Sequence, residues 1–264
     1  MSTNPSTTNT QPLISIITST YNAGKHLADL IDSLRSQNRT GIEWIVVDGG
    51  SNDNTIALAK EARDVIDVLI SEPDHGIYDA WNKGVAAAKG NWIAFMGADD
   101  YYLPNALDTC RKAVLSASSE VNMIVGTIHW VDETDSSIAR TIASPWDWQK
   151  MQKWMNISHP GTLHHRTLFD RFGMFDISFR SASDYDFLLR VGPSVHASFI
   201  ATPLARVRIG GASQQRQALK EAQQVRRRNL KLSAFQVGMA YVIAWTKLAI
   251  RRRIESLKNM MTSG

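Results

Sequence analysis

The 264-residue chain is 44% apolar, enough for a substantial core and for one large domain with or without an appendage. Its single cysteine, Cys110, excludes an intrachain disulfide and fits a reducing, cytoplasmic setting. The net charge of +4 is unevenly spread: residues 206–264 carry 13 Lys or Arg against Glu221 and Glu255, a balance of +11 that leaves −7 on residues 1–205. A basic tail on an acidic body implies a separate task for the tail, at nucleic acid or at an anionic membrane surface.

In chain order, residues 1–11 are rich in Ser, Thr and Asn with no apolar run, and they read as a disordered lead-in rather than a signal peptide. Leu13 to Thr18 is strand-like, and Lys25 to Gln37 has helical spacing through Leu27, Leu30, Ile31 and Leu34. Ile42 to Asp48 predicts a second strand, Asn54 to Arg63 a helix, Val65 to Ser71 a third strand, Ile77 to Ala88 a helix, and Trp92 to Met96 a fourth strand. This alternation predicts a parallel sheet with helices on both faces, a Rossmann-like half whose strand-end loops hold a nucleotide. A helix follows from Pro104 to about Ser118, then a strand from Met123 to Trp130 and a mixed region from Ser144 to Val191. From about Gln214 the chain turns helical and basic, which places a boundary near Gly210-Gly211.

Polar residues collect where these strands end. The first ends in Thr18-Ser-Thr-Tyr-Asn22 and the second in Asp48-Gly-Gly-Ser51, where Asp48 is an acceptor for a base N–H or a ribose hydroxyl. The third leads into Asp79-Ala-Trp-Asn-Lys-Gly84, and the fourth ends in Asp99-Asp100. Two hard oxygen ligands at a strand end suit Mg²⁺ or Mn²⁺ shared with a phosphate-bearing substrate. The alternative is that they cap the helix after Pro104.

Taken together, Ser15-Ile-Ile-Thr-Ser-Thr-Tyr-Asn22, Trp44-Ile-Val-Val-Asp-Gly-Gly-Ser51, Asp79-Ala-Trp-Asn-Lys-Gly84 and Gly90-Asn-Trp-Ile-Ala-Phe-Met-Gly-Ala-Asp-Asp100 resemble the family 2 glycosyltransferases. The nearest likeness is to bacterial enzymes of exopolysaccharide, colanic acid and O-antigen assembly. The resemblance covers about residues 12–213 and implies an α/β GT-A fold with a mostly parallel central sheet, followed by a basic helical extension over 214–264. It implies that Thr18 and Tyr21 line the base pocket and that Asp48 bonds the base. Asn82 and Lys83 would contact the nucleotide sugar, and Asp99 and Asp100 would bind the divalent metal between ribose and diphosphate.

Phe179-Arg-Ser-Ala-Ser-Asp-Tyr-Asp186 matches the segment in which the family carries its catalytic carboxylate, with Asp184 the better match. An inverting transfer needs such a base to take the acceptor hydroxyl's proton. Ser183 or Asp184 acting only as a helix cap is the alternative, and pairing with Arg180 or Arg190 would depress the carboxylate pKa values. The loop Ser158-His-Pro-Gly-Thr-Leu-His-His165 resembles the family's His-containing loop, which offers His159 to acceptor or metal, and Gly210-Gly-Ala-Ser213 resembles a late turn over the diphosphate. The chain departs from many relatives at Trp81, where they carry Arg, and at Gly49 and Gly97, where they carry Asp. No Gly-x-Gly-x-x-Gly follows the first strand, which excludes the usual dinucleotide fingerprint. The Gln-x-x-Arg-Trp pattern of processive synthases is also absent, so transfer of a single sugar is expected. One of Trp130, Trp146, Trp148 and Trp154 is expected to stack on acceptor sugar.

Phe235 to Ile250 is apolar apart from Gln236 and Lys247, falls short of a spanning helix, and lies between Arg226-Arg-Arg228 and Arg251-Arg-Arg253. That pattern fits a helix in an anionic membrane interface, and it argues against nucleic acid. A helix packed on the domain or in a homodimer interface is the alternative. The resulting expectation is a metal-dependent inverting enzyme at the inner face of the cell membrane. It would move a sugar from a nucleotide diphosphate donor, with a UDP-sugar expected, to a lipid-linked or saccharide acceptor. The competing expectation is a catalytically degenerate nucleotide-sugar-binding subunit of a membrane-docked assembly.

Overall fold

A computed structural model describes residues 11–132, 136–209 and 216–232. Its first half is β1 (Ile14–Thr20), α1 (Leu27–Arg35), β2 (Ile42–Asp48), α2 (Thr55–Glu61), β3 (Val68–Ser71), α3 (Ile77–Ala87) and β4 (Trp92–Phe95). These strands pair in parallel in the order β3-β2-β1-β4, so all four end at one edge of the sheet. The unbroken apolar runs follow from burial on both faces. Along β2 the pleat sends Trp44 and Val46 into the cluster that holds Leu27, Leu30, Ile31 and Leu34 of α1. Ile45 and Val47 go to the opposite cluster, against Tyr78, Trp81 and Val85 of α3.

Strand β3 starts three residues later than Val65, where periodicity placed it. The Val65 and Ile66 N–H groups turn back to the Ala62 carbonyl, and the Asp67 carboxylate accepts the Trp44 N–H at 2.8 Å and pairs with Arg39. Those bonds hold the segment in a turn.

The second half comprises β5 (Tyr101–Tyr102), α4 (Ala106–Ser116), β6 (Met123–Val131), β7 (Ile138–Ile142), α5 (Trp148–Met151), β8 (Thr162–His165), α6 (Thr167–Phe172), α7 (Ser183–Val191), β9 (Ala197–Arg208) and α8 (Arg216–Leu230). The sheet extends past β4 through β8, β6, β9 and β5. Strand β8 is antiparallel to both β4 and β6, while β9 runs parallel to β6. Cys110 is buried in the α1 cluster, as its helical position predicts.

Composition assigned α8 to an extension beyond residue 213, but the helix packs against α7. Val225 is fully buried in the α3 cluster, and Glu221 is 4% exposed. The Glu221 carboxylate accepts the N–H groups of Arg180 (3.1 Å) and Ser181 (2.7 Å), just before α7. Charge alone had marked this helix as separate, whereas its buried Ala218, Glu221 and Val225 face make it part of the body. No helix among the described residues is long and apolar enough to cross a membrane. The apolar run 235–250 and the turn 210–213 lie outside the described residues.

Candidate active site

At the end of β4 the backbone passes through Gly97 to an exposed Asp99 and a buried Asp100. A Cβ placed on Gly97 would stand 2.7 Å from Asp100 Oδ2 and 2.8 Å from Asp99 Oδ1. Both oxygens therefore converge on the space that glycine leaves open, within 5.5 Å of each other, the sum of those two distances. Asp100 Oδ1 accepts the Arg208 N–H at 3.0 Å, and the Arg208 guanidinium bonds the Asp99 carbonyl and pairs with Asp29 of α1 at 2.6 Å. Burial and the adjacent Asp99 charge push the Asp100 carboxyl up to about 8. Neither aspartate caps α4, whose first turn is preceded by Asn105 in a left-handed conformation with φ 64°. Two converging carboxylates, one open and one in no ion pair among the described residues, fit a hard divalent cation completed by substrate phosphate oxygens. Among the described residues no group of three or more His, Cys, Asp or Glu side chains gathers as a metal site.

At the ends of β1 and β2 the expected base pocket is sorted by burial. Tyr21 is 67% exposed, its ring free at the sheet edge. Thr18 is fully buried and its hydroxyl accepts the Trp44 Nε1–H at 3.1 Å, so it braces β2 rather than facing a ligand. Asp48 is also sealed. Its carboxylate takes five donors: the Thr20, Ser51 and Ser71 hydroxyls and the Gly50 and Ser51 N–H groups. In these positions Asp48 shapes the β2 loop and offers nothing to a base.

On α3, Asn82 exchanges two bonds with the Phe175 backbone, at 2.9 and 3.0 Å. Lys83 is paired with Glu72 at 2.9 Å and donates to the Pro73 carbonyl at 2.9 Å. Both side chains tie α3 to neighbouring loops, leaving neither directed at phosphate. Trp81 is buried, its ring 5.1 Å from that of His159 and 4.7 Å from that of Phe95. His159, offered by sequence as an acceptor or metal contact, is 3% exposed inside this aromatic cluster, 4.9 Å from the His164 ring. Burial holds both imidazoles neutral, with His164 pushed down to about 3 and His159 well below its usual range. Of the four tryptophans considered for acceptor stacking, Trp154 is the one with a broadly exposed ring, at 55%.

The helix α7 carries Asp184 and Asp186 on different sides. Asp186 is fully buried and saturated by Arg190 (2.9 Å), Arg228 (2.6 Å) and Asn229 (2.7 Å). Asp184 is half-buried and has no arginine partner among the described residues. Its Oδ1 accepts the Tyr78 hydroxyl at 3.0 Å and the Tyr185 N–H at 2.8 Å, and no hydrogen bond among the described residues reaches its Oδ2. The expected arginine pairing thus falls on Asp186, and the Asp184 carboxyl is raised by burial rather than lowered. Nor is the carboxylate a simple cap, since α7 begins after Ala182 with no side-chain cap. Tyr78 lies in the first turn of α3, which opens at the edge of the sheet where the parallel strands end, so its bond holds Asp184 toward that edge. Sequence reasoning passed over Tyr78 and Arg208. Both act on partners more than 100 residues distant, and no local pattern marks such a pairing.

The family described as glycosyl transferase family 2 matches residues 15–177. A PGL/p-HBAD biosynthesis glycosyltransferase of Mycobacterium bovis is 32% identical over 182 residues, spanning 68% of this chain and 69% of that protein. An uncharacterized glycosyltransferase of Rickettsia prowazekii is 29% identical over 185 residues, 66% of this chain and 57% of its own length. Among solved structures, S. aureus TarS 1-349 in complex with UDP-GlcNAc superposes with a TM-score of 0.66 at 16% identity, covering 86% of this chain and 70% of that one. The mannosyltransferase PcManGT from Pyrobaculum calidifontis, in complex with GDP-Man and Mn²⁺, superposes with a TM-score of 0.61 at 18% identity, covering 85% and 66%. At these identities the structures establish the fold, which is that of GT-A glycosyltransferases.

Proposed function

The chain belongs to glycosyl transferase family 2, and from that membership we propose that it transfers one sugar, with inversion, from a nucleoside diphosphate donor to an acceptor hydroxyl. The observation that carries this reading is the state of Asp184. It is raised in pKa, free of arginine among the described residues, and tethered by Tyr78 at the sheet edge that bears Asp99 and Asp100. A carboxylate that holds its proton more tightly than usual is the stronger base. As the acceptor oxygen forms its bond to the anomeric carbon, its proton passes to Asp184 Oδ2, and the sugar–diphosphate bond breaks on the opposite face. Burial and the charge of Asp184 raise the Tyr78 hydroxyl pKa, so that hydroxyl stays protonated and keeps the base in place. Asp99 and Asp100 would hold Mn²⁺ or Mg²⁺, which supplies charge neutralisation for the departing diphosphate.

The degenerate-subunit alternative expects an arginine on Asp184, and the arginines on Asp186 speak against it. A lipid-linked acceptor at the inner face of the membrane is supported by the apolar run 235–250 between two Arg triplets. Titration calorimetry with UDP and GDP, with and without Mn²⁺, tests the donor site. Metal-dependent binding that disappears in Asp99→Ala is expected; binding of neither nucleotide under either condition would overturn the reading.

A further inference from the structure

A donor base finds no free acceptor at Asp48, whose carboxylate is taken up by Thr20 of β1, Ser71 of β3 and the Gly50-Ser51 loop. Beside it the fold provides another carboxylate. A Cβ on Gly49 would stand 2.4 Å from Asp74 Oδ2 and 3.0 Å from Asp74 Oδ1. The absence of a side chain at Gly49 is therefore what lets Asp74, from the loop between β3 and α3, lie across the end of β2. The loop is anchored there independently, since the Glu72 N–H donates to the Asp48 carbonyl at 3.0 Å. Asp74 Oδ1 accepts the Gly76 N–H at 2.8 Å, which fixes the carboxylate, while no hydrogen bond among the described residues reaches Oδ2.

The position is also right for the base end of a nucleotide. The carboxylates that face diphosphate follow β4, and β2 lies two strands away across β1. Two strand spacings are roughly 10 Å, the separation that a ribose sets between base and diphosphate. The exposed Tyr21 ring follows the intervening β1, and the Asn22 N–H bonds Ser51 at 2.8 Å, so the β1 and β2 loops sit side by side.

We propose that Asp74 reads the donor base through Oδ2, selecting a base that presents a ring N–H: uracil, thymine or guanine. The inference rests on the nucleotide-sugar reading above. An ionised carboxylate only accepts hydrogen bonds. It bonds the N3–H of uracil or thymine, or the N1–H and amino group of guanine, with the added strength of a charged acceptor. Against cytosine N3 or adenine N1 it faces a lone pair, and the contact is repulsive.

The test is calorimetric titration of the full-length protein with UDP, GDP, CDP and ADP in Mn²⁺, in the wild type, Asp74→Asn and Gly49→Ala, with a thermal melt on each. Asp74→Asn keeps the oxygen that accepts the Gly76 N–H but adds a donor, and Gly49→Ala drives the carboxylate off β2. The wild type is expected to bind UDP or GDP at least tenfold more tightly than CDP and ADP. Both variants should narrow that preference to less than threefold with an unchanged melting temperature. If one variant melts early, the other decides. Metal-dependent binding with the preference intact in the folded variants, or with none in the wild type, overturns the assignment of Asp74 and leaves the transferase reading standing. Failure of the wild type to bind any of the four removes the transferase reading itself.

Discussion

Replacing Asp184 by asparagine turns one proton-accepting oxygen into an amide and changes little else. Oδ1 remains to accept the Tyr78 hydroxyl and the Tyr185 N–H, now at 3.0 and 2.8 Å. A positioned general base is worth about 10²–10⁴ in rate, or about 3–5 kcal/mol of barrier, and the amide supplies none of it. Single-turnover transfer in Asp184→Asn is therefore expected to slow at least a hundredfold, while the donor Kd stays within threefold. Stability should move the other way. Burial raises the Asp184 pKa in the fold, so the unfolded chain ionises first as pH rises, and the ionised carboxylate costs stability above its folded pKa. A neutral asparagine escapes that cost, and the melting temperature at pH 7 should hold or rise. Transfer slowed less than tenfold would refute the base assignment. Lost activity with an early melt would mean that Asp184 holds α7 in place rather than taking a proton.

Two further outcomes follow from burial and close approach. In Gly97→Ala the new methyl would meet Asp100 Oδ2 at 2.7 Å and Asp99 Oδ1 at 2.8 Å, so the two oxygens must separate. Mn²⁺-dependent UDP or GDP binding should weaken at least tenfold with the fold intact by circular dichroism, and unchanged metal dependence would place the cation elsewhere. The neutral pair His159 and His164 predicts acid sensitivity. The unfolded chain takes up these protons below about pH 6.5, whereas His164 in the fold resists until about 3. Stability is thus full above pH 6.5 and is lost through that window at about 1.4 kcal/mol per pH unit for each imidazole. Urea denaturation from pH 7 to 4 should show a slope shallower by one proton in His164→Leu, and an identical slope would mean that His164 is not buried neutral.

What could be read from the sequence alone was local. The run Ile42 to Asp48 forms a strand over those same residues, and Leu27, Leu30, Ile31 and Leu34 bury one helix face, because each pattern repeats within a single element. The position of Asp99-Asp100 at a strand end was legible for the same reason. Direction and partnership were not. Thr18 and Tyr21 lie three residues apart at the end of one strand, yet the fold seals Thr18 against Trp44 and leaves Tyr21 open. Asp184 and Asp186 are separated by about 200° around their helix. One therefore meets Tyr78, 106 residues earlier, and the other meets Arg228, 42 residues later. Charge composition set α8 apart from the body, and only the packing of Val225 and the bonds from Glu221 to the segment before α7 joined it. Patterns along a chain record which faces are apolar. Which polar groups face water is decided by neighbours from distant segments, since each buried donor or acceptor must find its partner there.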